Sequence, residues 1–116
     1  MKKKLNFQTK AIIAGRSVDA ISGKTFETFN PANGKVLAKI ARCDKADADA
    51  AVKAARNAFK NGPWPKMSPA ERKVILQRFA TLIEAHTDEL AELEAMEAGK
   101  PISDCIEIDL PETVGT

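Results

Sequence analysis

The hydrophobic period of this chain changes at Asp44, and that change constrains the fold more than any single motif. Before it, the apolar residues fall in short extended runs: Ile12-Ile13, the alternating Thr25-Phe26-Glu27-Thr28-Phe29, and Val36-Leu37-Ala38-Lys39-Ile40. Runs of this length with period two predict strands. Ala14-Gly15 marks a turn after the first, Ser22-Gly23-Lys24 precedes the second, and Asn30-Pro31-Ala32-Asn33-Gly34 separates the second from the third. Pro fixes φ and Asn-Gly tolerates positive φ, so this last connection predicts a hairpin or tight reversal. After Asp44, Ala51, Val52, Ala55, Ala58 and Phe59 recur at three and four, with Lys53, Arg56, Asn57 and Lys60 on the other face. That is a helical stripe. The expected fold is mixed α and β, with strands over 11–43 and helices over 44–116, behind a flexible terminus at 1–10.

The helix boundaries follow from local chemistry. Asp44 or Asp47 can cap the first helix, because a short carboxylate accepts from the unpaired amides of the opening turn. Asn61-Gly62-Pro63 stops it, with Gly62 suited to a left-handed cap and Pro63 unable to continue the helix. Ser68-Pro69-Ala70-Glu71 opens a second helix: Ser caps, Pro fits the first helical position, and Glu71 reaches back to the cap. Its predicted buried face is Ile75, Phe79, Leu82, Ile83 and His86, and the stripe resumes at Leu90, Leu93 and Met96. Thr87-Asp88 between them predicts a second cap that splits the run in two. Gly99-Lys100-Pro101 ends it. Ser103 to Thr116 carries Cys105, Ile106 and Leu110 without a closing signal near Pro111, which leads us to expect a segment of a longer polypeptide.

A chain of 116 residues suffices for one small domain but not for a dinucleotide domain joined to a substrate domain. Five Phe, one Trp and no Tyr leave core burial to Ile, Leu, Val and Ala, so the core should be thin. Eighteen basic and sixteen acidic side chains give a net charge of +2, too balanced for the basic footprint of a nucleic-acid binder. Lys2-Lys3-Lys4 is followed by an apolar run that Gly15 and Arg16 break at once, so neither an export signal nor a membrane span is expected. Cys43 and Cys105 stand 62 positions apart without a disulfide or metal-knuckle spacing, which fits a reduced, cytoplasmic protein.

Candidate chemistry is sparse. The glycines at 15, 23, 34, 62, 99 and 115 match neither a dinucleotide turn nor a phosphate-cradling loop. Cys43 precedes a helix start, which would lower a thiol pKa, but Asp44 and Asp47 oppose that effect and no His is near in sequence. Cys105 shares an apolar stripe with Ile102 and Ile106 and reads as a small buried hydrophobe. His86 continues an apolar face, has no partners for a metal triad, and reads as a boundary residue. Trp64 between Pro63 and Pro65 reads as a rigid loop that docks its ring on the neighbouring helices.

Taken in order, several segments resemble the aldehyde dehydrogenase superfamily: Phe26 to Pro31 with Asn33-Gly34-Lys35-Val36, the alanine-rich stretch Asp49 to Phe59, Gly62-Pro63-Trp64, Arg72 with Leu76, and Glu89 to Glu94 before Gly99-Lys100-Pro101. The details look most like bacterial enzymes acting on γ-glutamyl-γ-aminobutyraldehyde and related amino-aldehydes. The resemblance implies that this is an incomplete part of a Rossmann-type coenzyme domain, with the catalytic and oligomerisation domains absent. It implies oxidation of an aldehyde to a carboxylic acid with NAD or NADP by the full-length enzyme. The partners it implies are the remainder of the chain and a homo-oligomer.

Such chemistry needs a thiolate nucleophile, oxyanion donors, a hydride acceptor and a carboxylate base. The family's Gly-Gln-x-x-Cys and Glu-Leu-Gly-Gly-Lys strings do not occur here, so no catalytic or cofactor-binding residue is assigned, and the segment alone is expected to be inactive and to bind no cofactor. One site is carried over in part. Many family members hold a monovalent cation through backbone oxygens of a Thr-x-Asn-Pro segment and an acidic residue just before Gly-Lys-Pro. The matching positions are Thr28, Phe29 and Glu97, where relatives often have Asp in place of the longer Glu; an ordinary exposed helix residue is the competing reading of Glu97. The competing reading of the whole chain is a small stand-alone helical module for protein interaction.

Overall fold

The computed structural model describes residues 5–115, so the Lys2 to Lys4 run and Thr116 lie outside the described residues. Two antiparallel hairpins come first: β1 (Ala11–Ile13) with β2 (Arg16–Val18), and β3 (Thr25–Phe29) with β4 (Val36–Ala41). Strand β2 was not foreseen, because Arg16-Ser17-Val18 offers one apolar residue in three and no period. Ala14 and Gly15 join β1 to β2 with φ of 52° and 74°, the paired positive values that a two-residue reversal of this hand requires. In the second hairpin Asn30 and Gly34 form the turn predicted from sequence, with Gly34 N donating to Asn30 O at 2.7 Å.

The hairpins are stitched to each other and to the first helix. Ala41 N donates to Thr9 O at 2.8 Å and Arg42 N to Lys24 O at 2.8 Å, so the segment just before β1 runs beside the end of β4. Helix α1 (Lys45–Asn61) is capped by Asp44 and Asp47 together: Asp44 Oδ1 accepts from Ala46 N at 3.0 Å, and Asp47 Oδ2 accepts from Asp44 N at 2.9 Å. The second Asp47 oxygen accepts from Ile21 N at 2.8 Å, so one carboxylate closes the helix and grips the strand region. Asp47 is the one buried charged residue among those described, at 3% exposure. Gly62 ends α1 with φ −69°, an extended conformation rather than the expected left-handed cap. Glycine is still required there, because a Cβ would stand 2.4 Å from the Ala58 carbonyl oxygen.

A 3₁₀ turn at Trp64–Lys66 leads to α2 (Pro69–Ala85), which opens with the reciprocal Ser68 and Glu71 bonds expected from sequence. The split between α2 and α3 (Thr87–Ala98) also stands, but His86 occupies the junction, and Thr87 Oγ1 donates back to Glu84 O at 2.9 Å instead of capping α3. Gly99 closes α3 in the left-handed region at φ 71°. A last helical run follows: α4 (Ile102–Asp104), a π-helical stretch (Cys105–Asp109) and α5 (Leu110–Gly115). The wide turn has a local cause. Pro111 supplies no amide to the Glu107 carbonyl and its ring would crowd it, which a π turn relieves.

The core is small. Ala91, Cys105 and Leu110 are buried together, with Ile83, Leu90 and Ala95 packed around them where the end of α2, α3 and the last run meet. Most of the predicted helix face is not buried by the chain itself: Ile75, Phe79 and Leu82 are exposed, as are His86, Val52 and Phe59. Ile102 and Ile106 are exposed too, so Cys105 is buried without its predicted stripe. The Cα radius of gyration is 17.1 Å, against about 13 Å for a compact domain of this length. The accessible surface is 9078 Å², against roughly 6,200 Å² for a folded chain of this mass. These elements are formed but do not close around one another.

Candidate functional site

Two places bring chemically interesting residues together, both at the C-terminal end of α3. At the first, Gly99 lies against the β3–β4 turn so closely that a Cβ at 99 would meet the Pro31 ring carbon at 2.7 Å. Glycine is demanded here by space as well as by φ. This contact joins the Thr28-Phe29-Asn30-Pro31 segment to the Gly-Lys-Pro segment, the two pieces that the aldehyde dehydrogenase resemblance pairs as a cation site. Thr28 is half-buried, Phe29 is 51% exposed, and a bulge interrupts the β3–β4 ladder between them. Glu97, in the last turn of α3, is exposed.

The second place was missed from sequence. Glu94 of α3, with Cys105 and Asp109 of the π-helical stretch, sets two carboxylates and a thiol within 4.8 Å of one another. Lys100 Nζ bonds Asp109 in the same spot. Burial pushes the Cys105 thiol up from its ordinary range, and Glu94 and Asp109 add to that, so the sulfur is protonated and unreactive at neutral pH. The hydrogen bond to Asp109 raises Lys100, which therefore stays an ammonium. Its charge offsets that of Asp109, and the bond ties the Gly99 turn to the last helical run. Cys105 and Asp109, four apart, were a legible pair, but Glu94 joins them through the Gly99 turn, which spacing does not reveal.

The remaining candidates do no chemistry in this arrangement. Cys43 is an exposed residue with a partly desolvated sulfur; that desolvation, then Asp47 and Asp44, raises its pKa, as the acidic neighbours suggested. His86 Nδ1 stands 3.7 Å from Glu89 with its side chain 58% exposed, a boundary residue at the α2–α3 junction. Trp64, still partly exposed, lines a shallow groove with Pro69, Arg72 and Leu76 at the start of α2.

The family pattern decides what this arrangement is. The aldehyde dehydrogenase family model matches residues 18–116. The chain belongs to that family. Mitochondrial benzaldehyde dehydrogenase of Antirrhinum majus is 51% identical over 102 residues, covering 88% of this chain and 19% of that enzyme. Aminoacetaldehyde dehydrogenase of Pseudomonas aeruginosa is 47% identical over 112 residues, covering 97% of this chain and 23% of that enzyme. In the solved structure of γ-glutamyl-γ-aminobutyraldehyde dehydrogenase from Burkholderia cenocepacia, 46% identical, the superposition reaches a TM-score of 0.93 over 96% of this chain and 22% of that one. The chain thus spans about a fifth of the length of the aldehyde dehydrogenases it matches, and its strands and helices are a partial aldehyde dehydrogenase domain.

The 116 residues, about a fifth of the length of the relatives, leave the faces carrying Val52, Phe59, Leu76 and Phe79 to water. The same comparison separates family from substrate. Enzymes named for benzaldehyde, aminoacetaldehyde and 2-hydroxymuconic semialdehyde are 51%, 47% and 49% identical to this segment, a spread too narrow to choose among aldehydes. Among the described residues no helix is long and apolar enough to cross a membrane.

Proposed function

We propose that this chain is the leading segment of an NAD- or NADP-dependent aldehyde dehydrogenase that oxidises an aldehyde to a carboxylic acid, and that the segment by itself is inert. The observation that supports this reading is the joint one of 45% identity and a TM-score of 0.92 to the P. syringae indole-3-acetaldehyde dehydrogenase structure, solved with NAD⁺, over 96% of this chain but 22% of that one. The 116 residues contain neither the family's nucleophile string nor its base string, so substrate binding, thiolate attack and hydride transfer fall to residues outside them. Aminoacetaldehyde and γ-glutamyl-γ-aminobutyraldehyde dehydrogenases are among the relatives, so amino-aldehydes belong in the substrate panel beside benzaldehyde. The partners are the remainder of the polypeptide, seated on the exposed helix faces, and further copies of the enzyme. Two unpaired cysteines suit a reduced cytoplasm.

The test is the intact mass of the protein from its native source, with aldehyde oxidation assayed on the same material using NAD and NADP. A mass several times 12.6 kDa with activity is the expected result. A mass near 12.6 kDa without activity overturns the enzymatic reading and redirects attention to partner binding.

We further propose that the backbone oxygens of Thr28 and Phe29, with the Glu97 carboxylate, hold a monovalent cation. The donor set fits: oxygen ligands suit hard cations, the bulge at Thr28/Phe29 removes backbone groups from the regular ladder, and the Gly99–Pro31 contact draws the end of α3 to that strand. A melting temperature higher in sodium or potassium chloride than in tetramethylammonium chloride at equal ionic strength, with the difference abolished by Glu97→Gln, is expected. Equal melting in all three salts sinks the site.

A further inference from the structure

We draw no further inference here: the strongest candidate, the cluster of Glu94, Cys105 and Asp109 between α3 and the last helical run, already holds the Lys100 ammonium as its counter-charge, and no second observation points to a ligand there.

Discussion

The start of α2 and the face of α2 are parts of one helix, yet one is finished and the other is not. At the start, Ser68 Oγ accepts from Glu71 N at 3.3 Å and Glu71 Oε2 accepts from Ser68 N at 2.7 Å, so the opening turn satisfies itself. Along the face, Ile75, Leu76 and Phe79 point their apolar surface at water. Caps are made by residues three apart and travel with the sequence wherever it goes. Faces are completed by whatever packs on them, and here the helices bring enough to bury a cluster of three, Ala91, Cys105 and Leu110. Hydrogen-bonded ends without covered sides are what the proposed leading segment of a longer enzyme would show, and the chain spans about a fifth of each relative.

Truncating the two kinds of apolar site sharpens this contrast most. Leu110→Ala removes a central side chain of the one small core and should cost about 2–5 kcal/mol, enough to melt the last helical run. Phe79→Ala, at a site 62% exposed, should cost well under that in the 116-residue chain. Placed in a full-length enzyme where the face is covered, the same Phe79→Ala change should cost roughly 3–5 kcal/mol. Denaturant melts of both variants, in the segment and in the long chain, check this. An equal loss for Phe79→Ala in both would mean that the face is not a buried interface.

The next largest effect separates two caps of unequal reach. Ser68→Ala removes a local cap and should cost about 1 kcal/mol. Asp47→Ala should cost more, because its carboxylate serves the α1 cap with one oxygen and the Ile21 amide of the strand region with the other. Amide exchange gives the sharper readout. Loss of Asp47 should raise exchange at Ile21 and through the hairpins as well as in the first turn of α1, whereas loss of Ser68 should raise it only at the start of α2. A purely local effect of Asp47→Ala would break the idea that this residue fastens β to α.

That asymmetry also shows which features a sequence exposes. The Ser68/Glu71 capping box, the Gly99 stop and the Asn30 to Gly34 turn were legible, since each is fixed by residues within four or five positions, while Asp44 and Asp47 were read as alternative caps and in fact share the task. The grip of Asp47 on Ile21 was not, because it spans 26 positions and depends on where the first hairpin lands. The apolar stripes correctly marked helix faces but not their burial, since a period states which residues share a side and nothing about what covers it. For that reason Ile75, Phe79 and Leu82 were expected inside and lie outside. The Glu94, Cys105 and Asp109 cluster escaped for a third reason: its members come from two elements joined by a left-handed glycine.

The smallest effect is the pH dependence, and its two edges come from different parts of the molecule. Backbone bonds from Asp44 and Ile21 lower the Asp47 pKa, and the Ser68 amide lowers that of Glu71. A group depressed in the folded state adds stability that is present above its unfolded value and lost as pH falls through the folded one. Stability should therefore be flat down to about pH 4.5, near the ordinary carboxylate values, and decline below it. On the alkaline side the signs reverse. Burial raises Cys105 and the Asp109 bond raises Lys100, so their contributions are complete below the ordinary values of 9.0 and 10.5 and fade as pH climbs through the raised ones. Asp47→Asn should shrink the acid edge to the Glu71 part and touch the alkaline edge only through Cys43, whose pKa Asp47 helps to raise, whereas Cys105→Ala should shrink the alkaline edge and spare the acid one. If Cys105→Ala shifts the acid edge, the helix starts and the α3 cluster are not the independent units that the bonds describe.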